Sequence, residues 1–230
     1  MSPVSWLLLA ALLGADPADA GSPQRQILDR IVAVIDRRPL VLSELELEGR
    51  VELIQQGGVQ AATEALSDDD LAAALEWAIG QRLALAEADR LQVFDVEEAD
   101  VIKAFRAFEA QIGGPEALRA FLERQEASQG QIAVILLRDL RVSRFLDSKV
   151  KLSARVTEDD LRSFYSAHAG ELGGLPYEQV RDTLKARLTR ERYRALAQKQ
   201  LAALRAKADV RVVAPFGRKA DEADRTPARP

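Results

Sequence analysis

Residues 27–46 read ILDRIVAVIDRRPLVLSELE, and the architecture turns on how they pair. The β-branched run Ile31, Val32, Val34 and Ile35 suits a strand buried on both faces. Arg37, Arg38 and Pro39 interrupt it, and Leu40, Val41 and Leu42 form a second short apolar run, so the stretch predicts a β-hairpin. Pro39 limits the pairing at its own position, because it has no N–H to donate. At the other end of the chain Asp209-Val210-Arg211-Val212-Val213 alternates as a strand does. A terminal strand must find a partner for its backbone groups. Pairing 209–213 with 27–42 meets that need and brings both ends of the chain together.

Between these strands the apolar pattern is helical. Ser43 with Glu46 has capping-box spacing and predicts a helix from Ser43 to Gln56, stopped by Gly57-Gly58. Ser67 with Asp68, Asp69 and Asp70 makes an acidic helix start, followed by the stripe Leu71, Leu75, Ala78, Ile79 and Leu83 to about Leu91. Asp95 is the expected cap of a helix with Val101, Phe105, Phe108 and Ile112 on one face. Gly113-Gly114-Pro115 ends it and opens a short helix with Leu118, Phe121 and Leu122. Ser128 and Gln131 repeat the capping-box spacing ahead of Ile132, Ile135, Leu136, Leu140 and Phe145. Thr157 caps a helix with Leu161, Phe164 and Tyr165. The glycine-rich segment 170–175 is the clearest break. After it, Pro176 opens a long helix to about Lys207. The fold class is mainly α: six or seven helices with a small sheet made by the N-terminal hairpin and the C-terminal strand.

Composition bounds the function. Of 230 residues, 47% are hydrophobic and 30% charged, an ordinary globular mix. The net charge of −4 argues against a nucleic-acid binder relying on a basic surface. There is no cysteine, so disulfide scaffolds, thiol nucleophiles and thiolate zinc sites are excluded. With His168 alone, a two-histidine metal site within the chain is impossible. Residues 1–20 carry an apolar run from Trp6 to Leu13, shorter than the ~20 residues of a membrane span. Ala18-Asp19-Ala20 follows with small residues at the −3 and −1 positions of a cleavage site, the pattern of a signal peptide, although no Lys or Arg precedes the run. Cleavage after Ala20 leaves residues 21–230 with a charge of −2, and no later run reaches spanning length, so no stable membrane insertion is expected.

No GxGxxG, P-loop, nucleophile elbow or zinc-binding helix motif is present. His168 sits at a helix end, where the dipole explains it. No carboxylate pair stands out as a general acid/base couple, so neither catalytic nor metal-ligating residues nor any cofactor are expected. Acidic residues crowd 43–76 and basic ones 177–207. This predicts either that the first and last helices face each other with complementary rims or that the last presents a basic face to an anionic partner. Aromatics on the apolar stripes read first as core. A long helix crossing several shorter ones also leaves apolar surface as a groove, and grooves of this kind bind peptides. Periodicity nominates Trp77, Phe105, Phe108 and Phe145 as polypeptide-binding residues.

ILDRIVAVIDRRPLVLSELE (27–46) resembles the opening of the SurA family of periplasmic chaperones, where a strand of the form DRIVAVV leads through a turn to an S-E-L helix start. VTEDDLRSFYSAH (156–168) is similar to that family's helix ahead of its isomerase module, and PYEQVRDTLKARLTRERYRALAQKQLAALRAKADVRVV (176–213) to its closing helix and strand. Asp36 stands where an asparagine is common in the family. SurA-like proteins usually carry one or two parvulin-type prolyl isomerase modules between the last two segments, each needing about a hundred residues. Here that place is the short linker from Gly170 to Leu175, and the parvulin histidines and cysteine have no counterparts. The resemblance therefore implies a chaperone core without isomerase activity: an ATP-independent holdase, located in the periplasm, for unfolded outer-membrane or secreted polypeptides. The alternatives are a prolyl isomerase, as in the family, and a structural adaptor for one dedicated envelope partner. A homodimer by exchange of the last helix is a further expectation, because the Gly-rich linker is a natural hinge. The organisation expected is a signal peptide at 1–20, one helical domain at 21–213 and a disordered tail at 214–230. Within the domain, a segment to about 169 is joined by the long helix and strand of 176–213.

Overall fold

The computed structural model describes residues 29–92, 94–168, 170–171, 173–214 and 216. The expected signal peptide, residues 1–20, and residues 217–230 of the expected tail lie outside them. Strand β1 (Ile31–Ile35) pairs antiparallel with β2 (Arg38–Val41), as the two apolar runs predict. Their connection holds Asp36 and Arg37 at φ 46° and 68°, the left-handed values a two-residue hairpin turn asks of both central positions. Aspartate tolerates that conformation well. Its side chain also accepts from the Asp209 N–H at 3.1 Å, while its own N–H donates to the Asp209 carbonyl at 2.9 Å. Pro39 lies opposite Val34 on the edge strand. Strand β3 (Val210–Val212) fills the other side of β1, giving the order β2-β1-β3 and bringing the two chain regions together.

Eight helices are described between the strands: α1 (Leu42–Gln55), α2 (Val59–Thr63), α3 (Asp68–Leu91), α4 (Glu98–Ile112), α5 (Pro115–Arg124), α6 (Gln129–Val150), α7 (Glu158–His168) and α8 (Tyr177–Arg205). The capping boxes at Ser67–Asp70 and Ser128–Gln131 are both formed. Thr157 Oγ1 likewise accepts from the Asp160 N–H.

Two expected caps are corrected. Helix α1 begins at Leu42, straight off β2, so Ser43 is already inside it and does not pair with Glu46. Its first donors are met instead from the segment before β1: Leu42 N–H donates to the Arg30 carbonyl, and Ser43 N–H and Oγ–H donate to the Asp29 carboxylate. Asp95 does not cap α4, which starts at Glu98 with Glu97 in the cap position. Arg144 of α6 grips the Asp95 carbonyl and the Asp100 carboxylate, so the approach to α4 is set by α6. Helix α2 was not expected. It forms because Ala62 is buried and Arg50 donates to the Ala62 and Glu64 carbonyls, both at 2.6 Å.

The core is partitioned. The sheet packs on the first half of α3 through Val32, Ile35, Leu40, Leu45, Leu75 and Ile79. A second cluster joins α1, α2, α4, α5 and the start of α6 around Phe108, Phe121 and Ile132. A third joins the later halves of α3 and α6 at Ala84, Ala88, Val142 and Phe145. A fourth, Val156, Leu161 and Leu184, ties α7 to the first part of α8. Helix α8 packs on α3, α6 and α7 rather than along α1, which corrects the expectation that the first and last helices face each other. One ion pair, Arg205 to Glu76, joins the two charge-biased segments directly. The start of the expected tail is also placed: Ala214 and Phe216 pack against the sheet cluster.

Candidate functional site

The four residues nominated by periodicity lie in different surroundings. Phe108 and Phe145 are core. Phe108 makes an edge-on contact with Phe121 in the second cluster, and Phe145 one with Phe94 beside the third. Trp77 is half-buried and borders a small hollow of about 130 Å³ between α1 and α3. Phe105 is half-buried and lines a larger cleft between α4 and α6. The four are thus in four places, and only Phe105 borders a cavity of peptide-binding size.

That cleft is one half of a trough over the start of α6. Its α4-side lobe encloses about 480 Å³ and is floored by Val101, Ile102, Phe105 and Ala133. Its α1-side lobe encloses about 790 Å³ and is floored by Leu47, Val134 and Ile135. Gly130 lines both lobes, so they meet across a ridge without a side chain. The capping box at Ser128 fixes where α6 starts and so where the ridge lies. Val134 is 64% exposed and Ile102 44%, large exposures for branched apolar side chains. Both sit beside the buried stripes of their helices, Ile102 next to Val101 and Val134 between Ile132 and Ile135. Apolar residues off the stripe are the trace this surface leaves in the sequence, and stripe periodicity passes over them.

Under the α1-side lobe runs a polar layer. Glu48, buried, accepts from Arg82 at 2.9 and 3.0 Å and pairs with Arg138 at 2.7 Å. Glu44 holds the other side of Arg82 at 2.7 Å. Burial pulls the Arg82 guanidinium down, but the two carboxylates outweigh it and raise the group above its ordinary value. Deeper along α6, Asp139 accepts from Gln55 Nε2 at 3.0 Å, while its second oxygen is buried with no partner. Burial pushes its carboxyl up to about 6, Gln55 and Arg138 pull it back, and Glu52 and Glu48 add to the rise. Replacing a buried ion layer by apolar packing is often neutral for stability. The layer links α1, α3 and α6 below the trough.

Elsewhere, a charged notch of about 650 Å³ lies between the end of α6 and the middle of α8, bordered by Asp147, Lys185 and Arg190. Tyr193 donates to Asp147 there at 2.8 Å, and burial with that carboxylate pushes its hydroxyl up to about 12. His168 ends α7, with Nδ1 3.0 Å from the Phe164 carbonyl and its ring stacked on Phe164. Among the described residues no three acidic or histidine side chains are grouped to hold a metal ion, and no helix is long and apolar enough to cross a membrane. No family model matches the chain, and no curated protein matches it either.

Proposed function

We propose that this protein is an ATP-independent periplasmic holdase that binds extended segments of unfolded outer-membrane or secreted proteins in the trough over α6. The observation that carries this reading is the exposure of Ile102 and Val134 on either side of the Gly130 ridge, above a floor that includes Phe105 and Ile135. Apolar floors with a polar rim hold extended chains through side-chain pockets. The resemblance of segments 27–46, 156–168 and 176–213 to the SurA family supports the same reading.

The test uses residues 21–230 with an unfolded β-barrel membrane protein diluted from urea, aggregation being followed by light scattering. A soluble protein of similar charge is the control. Suppression well above the control near equimolar ratio is expected. Gly130→Phe, which blocks the ridge at an exposed position, should abolish most of it without lowering thermal stability. No suppression beyond the control overturns the reading and favours the dedicated-partner alternative, for which a pull-down from envelope extract is the next step.

A further inference from the structure

The two lobes of the trough differ in chemistry, and the difference specifies what each can hold. The α4-side lobe is apolar over Val101, Ile102 and Phe105, and its two charged lining residues, Arg106 and Glu109, are of opposite sign. The α1-side lobe has an apolar floor, Leu47, Val134 and Ile135, but its rim carries Glu44 and Glu126, with Glu48 buried beneath, against one lining cation, Arg138. Glu44 and Glu48 are engaged by Arg82 and Arg138. Glu126 is exposed and has no ion-pair partner among the described residues, so the lobe keeps an uncompensated negative charge. An apolar floor under an acidic rim fits a side chain with an aliphatic stem and a cationic head, which lays its methylenes on the floor and reaches its charge to the edge.

We propose, resting on the holdase reading, that the α1-side lobe is a subsite for a Lys or Arg side chain of the bound segment. The α4-side lobe takes an apolar side chain two residues away. In an extended chain, alternate side chains point to the same side about 7 Å apart. Two lobes sharing the Gly130 ridge are placed to receive such a pair. The bound segments are therefore those in which apolar and basic residues alternate, and acidic segments are rejected by Glu126 and its neighbours.

The test measures fluorescence anisotropy of labelled, unstructured peptides on residues 21–230. Three peptides share a Ser/Thr host and a Phe, and carry Lys, norleucine or Glu two positions on. The expected order is Lys, then norleucine, then Glu. The Lys and Glu peptides should differ about three- to tenfold, the range for reversing one partly exposed charge pair. Added salt should narrow the spread. Glu126→Lys should invert the order, and its position outside the core keeps the fold intact. Equal binding of all three, or an order unchanged by Glu126→Lys, overturns this inference and leaves the holdase reading standing. No binding of any peptide, or binding indifferent to Gly130→Phe, overturns the holdase reading and the subsite with it.

Discussion

Asp139 sits in an environment that its letter does not suggest. Its carboxyl titrates at about 6 in the folded chain against an ordinary 3.8, because burial opposes its charge. Between those values the folded chain keeps a proton that the unfolded chain has released. Its contribution to stability therefore falls as pH rises through that window and is least favourable above it. Asp139→Asn removes this titration. The shift sets an upper limit of about 3 kcal/mol at pH 7. The new amide keeps the Gln55 bond but leaves an N–H without an acceptor, which costs about 1–3 kcal/mol and cuts the expected net gain to about 1 kcal/mol. Urea unfolding of both proteins at pH 7 and pH 4 checks this: the variant should lead at pH 7 and lose its lead at pH 4. Comparing the two proteins isolates Asp139 from Asp29 and Asp70, whose lowered values act in the opposite direction. None of this was legible in the sequence. Glu48 and Asp139 look like two more surface charges on amphipathic helices, and only the packing of α1 against α3 and α6 encloses them.

At the scale of the element, helix starts separate what local sequence decides from what tertiary contacts decide. Ser67 and Ser128 each satisfy a capping box within four residues, and both were readable. Ser67→Ala and Ser128→Ala should each cost about 1 kcal/mol, additively, in chemical denaturation. Ser43 has the same local pattern and a different fate, because β2 runs into α1 one residue earlier and Asp29 arrives from the far side of the hairpin. Asp29→Ala should therefore destabilise more than Ser43→Ala, since the Ser43 N–H loses its acceptor only in the first. The opposite ranking would restore Ser43 as the cap. Glycines divide in the same way. At Gly49 an added Cβ would lie 2.9 Å from Ala74 Cβ, where α1 crosses α3. At Gly130 the nearest atom is Ser128 Oγ at 3.7 Å. Gly130→Ala should stabilise by up to about 1 kcal/mol through helix propensity alone. Gly49→Ala should destabilise by about 1 kcal/mol despite the same propensity gain, because the crossing must open. Thermal melts of the two variants decide it.

For the whole molecule, the pairing of 209–213 with the N-terminal hairpin closes the sheet, and β3 lies against β1 as that pairing requires. The alternating run Val210–Val213 and the need of any strand for a partner made it legible. The trough was not, because it depends on how α1 and α4 flank α6, and aromatic periodicity pointed to Phe108 and Phe145 inside the core instead. Arg211 sits opposite Val34 in the ladder. Arg211→Pro should leave a carbonyl of β1 without its donor and destabilise the whole fold by about 1–3 kcal/mol. A single cooperative transition at lower temperature is the expected melt, and loss of β3 alone, with helices melting unchanged, would show that the sheet is independent of them. Asp36 and Asp209, 173 positions apart, are bonded to each other across this pairing. At about 5–20 residues per second, a ribosome needs roughly 10 to 30 s to travel from one to the other. For all of that time the central strand has a single neighbour and the sheet cannot close.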